Sequence, residues 1–187
     1  MSKPYYNEKV PSGAIGMVIL LFTELMFFVG LISGFLVNRI GAVSWPPVGQ
    51  PRLPIEATAV NTLFLLASAV TIYLFFKKYS NNKKSKSLLY ATIFLGVLFL
   101  SIQGYEWVQL LGYGLTTSSS LYGAYFYGII GVHGFHVIIG VILLFYMMSK
   151  FNKNAYADIK GVVLSCTMYW YFVVAIWPFL YFLVYLM

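Results

Sequence analysis

Apolar residues run along this chain in five long blocks, separated by short polar connectors. The blocks are residues 14–37, 57–76, 88–111, 122–148 and 162–187. About 20 apolar residues rising about 1.5 Å each cross the hydrocarbon core of a bilayer, so each block predicts a transmembrane helix. Alternating or amphipathic patterns are weak here, and block hydropathy carries the signal. In hydrocarbon the backbone must satisfy its own hydrogen bonds, which a helix does internally. The expected fold is an all-α integral membrane protein, a bundle of five transmembrane helices in a single membrane domain covering 1–187. The connectors leave no room for a soluble domain, and no repeat or low-complexity tract is evident. The first block is longer than the apolar core of a cleavable signal and lacks a small-x-small site after it, so it is expected to remain as the first helix.

Composition agrees. Hydrophobic residues make up 60% and charged residues 9%, against about 25% charged in soluble domains. The net charge of +7 is a matter of placement. With five crossings, one side holds Lys3, Lys9, Lys77, Lys78, Lys83, Lys84, Lys86, Lys150, Lys153 and Lys160, and the other holds Arg39 and Arg52. This bias predicts a cytoplasmic N-terminus and an outside C-terminus. Topology and anionic lipid heads account for the basic charge, and no nucleic-acid partner is implied. Cys166 stands alone and is expected to pack as a small apolar side chain.

A few polar residues interrupt the apolar blocks. Glu24 lies about ten residues into the first one. An ionised group near mid-membrane is costly, so this carboxyl is expected to be largely protonated and to have a partner or a purpose; a neutral Glu bonded to a neighbouring helix for packing alone is the other reading. Gln103 and Glu106 end the third block. Glu106 sits about 27 Å along that helix from Leu88 at 1.5 Å per residue, near the outer interface, and reads as a wet acid there unless it faces a partner; Gln103 and Glu106 are candidates for interhelical polar or lipid contacts. His133 and His136, the only histidines, share a helix face at i, i+3. They are too few and too close together to hold a haem from both sides, and a zinc site needs a third protein ligand. A di-iron bundle site needs Glu-x-x-His pairs that this chain lacks. The histidines are therefore expected to hydrogen-bond across helices, with Gly128, Gly131, Gly134 and Gly140 allowing close approach; a contact with Glu24 is open at similar depth. The loop with Trp45, Pro46, Pro47, Pro51 and Pro54 reads as stiff. It is either a rigid surface loop or a docking surface. Pro178 is expected to kink the last helix. There is no P-loop, nucleotide fingerprint or haem-attachment motif.

Several of these residues, taken in order, resemble a known family. Gly16-Met17 with Thr23-Glu24-Leu25-Met26-Phe27-Phe28 is similar to a Gly-Met…Ser-Glu-x-x-Phe-Phe helix. Trp45-Pro46-Pro47 resembles a Trp-Pro-Pro loop, and Asn61-Thr62 with Leu65-Leu66 and Ser68 an Asn-Thr…Leu-Leu…Ser helix. Gln103…Glu106-Trp107 resembles a Gln-x-x-Glu-aromatic helix end. Tyr122-Gly123, Phe126 and Gly131-x-His133-Gly134-x-His136-Val137-x-x-Gly140 match the most specific signature. Tyr169-Trp170-x-Phe172-Val173, then Trp177, Leu180 and Tyr181, resemble the final helix. The family is subunit III of the haem–copper terminal oxidases, here in a short five-helix form. Two positions that are commonly His and Asp in the last helix carry Tyr171 and Val174. The long form has seven helices, and the resemblance covers its last five.

The resemblance implies a non-redox subunit of a respiratory oxidase that reduces oxygen to water and translocates protons. It implies direct packing on subunit I, contacts with other oxidase subunits and with membrane lipids, and haem and copper in those partners but no cofactor in this chain. Glu24 falls on the family's buried, carbodiimide-sensitive glutamate, and is not expected to be an obligatory step in proton pumping. A bound phospholipid is in doubt, because the family's lipid cleft borders the first two helices of the long form. The location implied is a bacterial-type plasma membrane, and membership of a supercomplex is left open. Two further readings stand beside this one: an accessory protein of a quinol oxidase or nitric-oxide reductase, and a small stand-alone proton or ion carrier.

Overall fold

A computed structural model describes residues 11–187 apart from 82, 84 and 154–158, and excludes the side chains of 152 and 153. Five long helices follow in order: α1 Ser12–Ile40, α2 Ile55–Ser80, α3 Lys86–Gly112, α4 Leu121–Lys153 and α5 Lys160–Tyr181. A π-helical turn, Phe182–Leu186, continues α5. All five are long and apolar enough to cross a membrane. α1 to α4 are each a few residues longer than their apolar blocks, because polar residues at the ends still complete helical turns, while the last block is divided between α5 and the π turn.

Local chemistry sets the ends. Pro11 and Pro54 precede α1 and α2, where a missing N–H costs nothing. Glu56 lies in the first turn of α2 and Lys77 and Lys78 in its last, matching the helix dipole at both ends. α3 stops in a Schellman turn: Gly114 N–H bonds the Leu111 carbonyl and Leu115 N–H bonds the Leu110 carbonyl, both at 3.0 Å. Gly114 has φ 86° there, a left-handed conformation that glycine adopts without steric cost. Leu115, just beyond, is fully buried and seals the turn.

α5 is the hub. It packs against α1, α2 and α4, while α3 sits between α2 and α4 and α1 lies on the outer flank of α4 and α5. Accordingly α1 is mostly exposed along its apolar length, whereas about half of α4 is buried. Trp170 and Trp177 on α5 are fully buried. The Trp170 indole N–H donates to Ser68 Oγ at 3.0 Å and the Trp177 indole N–H to Thr62 Oγ1 at 2.8 Å. Tyr181 OH donates to the Ile55 carbonyl at 3.0 Å. As the α5 number rises the α2 number falls, so the three bonds form an antiparallel ladder between two helices. Thr71 and Thr92 tie α2 to α3 at 2.8 Å. Val174, where the family commonly has Asp, is buried among apolar side chains. Cys166 is buried on α5 as well.

The loop of residues 41–54 is pinned by Trp45, which sits edge-on to Phe35 of α1 at 5.5 Å and to Tyr122 of α4 at 5.4 Å. Its ring therefore faces the bundle. Lys77, Lys78, Lys83, Lys86, Lys150 and Lys160 gather at the opposite end of the helices. Lys3, Lys9 and Lys84, and the side chain of Lys153, lie outside the described residues.

Some glycines are demanded by the packing and others are not. A Cβ on Gly96 of α3 would lie 2.6 Å from Trp170 Cη2, and one on Gly140 of α4 would lie 2.9 Å from Trp170 Cε3. The Trp170 ring is thus clamped between two backbones. A Cβ on Gly16 would meet nothing within 4 Å. Gly96→Ala is therefore expected to destabilise the bundle by roughly 1–3 kcal/mol through overpacking, while Gly16→Ala leaves it unchanged. Thermal unfolding of the two purified variants checks this, and equal melting would contradict the clamp.

Candidate functional site

Two polar clusters lie inside the apolar bundle. The first joins α1 to α4. His136 Nε2 lies 3.0 Å from Glu24 Oε2. The other ring nitrogen, Nδ1, lies 2.8 Å from the Val132 carbonyl one turn earlier on α4. A carbonyl oxygen only accepts, so Nδ1 carries a hydrogen. Two arrangements of protons then satisfy the contact: a neutral acid donating to a neutral imidazole, or a carboxylate facing an imidazolium. Both carry zero net charge, which lowers the cost of keeping the pair in hydrocarbon. Phe28, fully buried on α1, covers the His136 ring at 5.2 Å. Tyr169 OH of α5 reaches the His136 carbonyl at 3.4 Å. The expected buried carboxyl at position 24 is corrected: Glu24 is half-buried and keeps 27% of its side chain exposed on the flank of the bundle, because α1 is the outermost helix.

The second cluster joins α3, α2 and the end of α5. Glu106 Oε2 accepts from Thr58 Oγ1 at 2.9 Å and from Gln103 Nε2 at 3.1 Å. Gln103 Nε2 also reaches Tyr185 OH at 3.2 Å. The wet-acid reading of Glu106 is corrected here, since it is 4% exposed; of the two readings, the structure places it in an interhelical polar contact, with Thr58 of α2. Its distance along α3 was judged rightly, but it faces the start of α2 and the π turn after α5, and these cover it. Thr58 and Tyr185 were not singled out from the sequence. The signal for Thr58 was present in the spacing of Thr58, Asn61, Thr62, Leu65 and Ser68, all buried, which is one helical face of α2.

The two histidines diverge. A residue three positions on is rotated by about 300°, so neighbours on one face still meet different helices. His136 turns to α1. His133 turns inward, is 1% exposed, and stacks on Trp177 at 4.9 Å with Phe99 at 6.5 Å. The expected cross-helix hydrogen bond of His133 is corrected: neither ring nitrogen has a hydrogen-bond partner. Aromatic rings surround it on both sides, which explains the stacking. Trp45, Pro46 and Pro47 belong to neither cluster. Among the described residues no group of three His, Cys, Asp or Glu side chains gathers that could hold a metal ion.

The family model of cytochrome c oxidase subunit III matches residues 4–187. This chain belongs to the cytochrome c oxidase subunit III family. Cytochrome c oxidase subunit 3 of Drosophila yakuba is 32% identical over 183 residues, covering 91% of this chain and 67% of the fly protein. The protein of the same name in Loxodonta africana is 34% identical over 183 residues, with 91% and 67% covered. That of the cyanobacterium Synechocystis is 30% identical over 180 residues, with 92% and 74% covered. The polar and aromatic residues described above all fall within the stretch that matches the subunit III family.

Two outcomes follow from the geometry. Glu24→Gln keeps a donor facing His136 and is expected to melt close to the parent, whereas Glu24→Ala strands the His136 nitrogen and lowers stability by roughly 1 kcal/mol; thermal unfolding of both variants compares them. A hydrophobic carbodiimide entering from the bilayer is expected to modify Glu24, on the exposed flank, and to spare Glu106, which Thr58 and Gln103 enclose. Mass spectrometry of the labelled peptides reads this directly, and label on Glu106 ahead of Glu24 would refute it.

Proposed function

We propose that this chain is the non-redox subunit III of a respiratory haem–copper oxidase, packed directly on the subunit that carries haem and copper. The observation that carries this reading is the family match across residues 4–187. The oxidase complex is an enzyme that reduces oxygen and translocates protons. This chain stabilises its catalytic subunit and sustains proton uptake there, with no redox centre of its own.

The exposed face of α1 supports a scaffolding role. Ile19, Phe22, Met26 and Val37 are all more than 60% exposed. Such a surface suits a bilayer or a neighbouring membrane subunit, where apolar contact and close packing hold helices together. The lysines at one end support an orientation with that end in the cytoplasm, by the positive-inside rule, in a bacterial-type plasma membrane. In this reading the Glu24–His136 pair is a polar tie between α1 and α4, and the Glu106 cluster ties α3 to α2 and α5. Neither acts as a step in electron transfer.

The test is a pull-down of a tagged copy from membranes solubilised in mild detergent. Haem absorbance in the eluate and oxygen consumption on adding an electron donor are expected. The donor that supports turnover, cytochrome c or quinol, then separates the two kinds of oxidase. A colourless eluate with no oxygen uptake would overturn the proposal.

A further inference from the structure

A groove of about 460 Å³ runs between α3 and α4. It takes no part in the Glu24–His136 pair, and its floor holds an unusual concentration of unpaired polar atoms. His133 Nδ1 and Nε2, Trp107 Nε1 and Gln103 Oε1 are all buried without a hydrogen-bond partner, and all three residues line this groove. His133 and Gln103 are 1% and 3% exposed. Burying such an atom unpaired is costly, so four together point to a ligand that pairs with them.

Two glycines open the groove. A Cβ on Gly104 of α3 or on Gly131 of α4 would meet nothing within 4 Å. Helix packing therefore does not require glycine at either position, unlike Gly96 and Gly140. Their missing side chains leave room beside the unpaired atoms.

The lining restricts the ligand. It contains no Lys, Arg, Asp or Glu, so an ionic head would have no counter-charge. Gln103 and His133 lie within about 6 Å of the midpoints of their helices, counting 1.5 Å per residue. Phospholipid heads sit roughly 15 Å from the bilayer midplane, half the hydrocarbon thickness. Water alone also fits poorly, because Val97, Phe135 and Ile138 form the open side of the groove and are themselves exposed to hydrocarbon. What remains is an uncharged molecule that resides near the midplane. Trp107 Nε1 offers only a donor, Gln103 Oε1 only an acceptor, and the imidazole offers one of each. Aromatic walls from Phe99, Trp107 and Phe135 suit a flat ring. The volume is in the range of small-molecule sites built from apolar walls and a few placed polar groups.

We propose that this groove binds the head of an isoprenoid quinone or quinol. The ring oxygens accept from Trp107 Nε1–H and the His133 N–H, in the quinol form a hydroxyl also donates to Gln103 Oε1, and the isoprenoid tail leaves along the open side past Val97 and Ile138 into the bilayer. The site is a binding site, and no electron transfer is assigned to it.

The test begins with the complex purified in mild detergent from quinone-containing membranes, followed by solvent extraction and mass-spectrometric counting of quinone per chain. The parent is expected to retain about one quinone above the level carried by free detergent micelles, and Gly104→Leu or Gly131→Leu to reduce it by roughly tenfold or more, the loss expected when about 1.4 kcal/mol or more of affinity is removed. Quinone at the micelle level in the parent would overturn the proposal. So would undiminished quinone in both variants, or loss of phospholipid in place of quinone. If the leucine variants fail to assemble, an azido-quinone is photolysed on the parent complex instead. Label on residues 97–107 and 130–138 supports the groove, and label elsewhere alone overturns it. The count is made per copy of this chain, whether or not haem accompanies it, so a failure here is separable from a failure of the subunit reading.

Discussion

One ring organises the bundle. Trp170 is clamped between the backbones of Gly96 and Gly140 while its N–H is held by Ser68. Three helices must therefore approach α5 closely around a single indole. Lipid tails are as apolar as leucine, so helices in a bilayer gain little from hydrophobic burial against each other. Close van der Waals packing and interhelical hydrogen bonds supply the association. Trp170 brings both, and Trp177 repeats the arrangement two turns later by donating to Thr62 and stacking on His133. The ladder from α5 to α2 then sets the relative height of those helices, and so decides which residues of α3 and α4 come to lie opposite one another.

The two acid clusters flank that framework, one near the middle of α1 and α4 and the other near the end of α3, and obey the same constraint. Glu24 is exposed on one side, and its contact with His136 leaves no net charge in either arrangement of the protons. Glu106 is enclosed, and three neutral side chains, Thr58, Gln103 and Tyr185, surround its bonded edge or its partner. A subunit whose polar groups are tied internally in this way can present apolar faces to a neighbour and still keep its own helices in register. That is what the proposed stabilising role beside a catalytic subunit would require physically. Single unpaired atoms occur elsewhere, at Glu106 Oε1, Asn61 Oδ1 and Thr167 Oγ1, but the groove at His133 gathers four of them, and for that reason it is read as a ligand site.

Much was legible in the residues. The five helices follow from apolar blocks long enough to span a bilayer, and the family from motifs spaced along nearly the whole chain. Glu24 stood out because a lone carboxyl in a long apolar block has few explanations. The misreadings share one cause. Glu106 was placed at the right distance along α3, but distance along a helix does not say which face it presents or what covers that face. His133 and His136 share a helix face on paper, yet about 60° of rotation between them is enough to direct one to α1 and the other to Trp177 and Phe99.

By itself the sequence determined the number of long apolar helices and the family, because each depends on local composition or on spacing along one strand of chain. Only the tertiary structure decided that His136 rather than His133 meets Glu24, that Glu106 is enclosed, and that Gly104 and Gly131 border an open groove while Gly96 and Gly140 clamp a ring. These depend on how helices distant in sequence are rotated against each other. That rotation is set by the sum of many weak side-chain contacts across the bundle, which no single segment encodes.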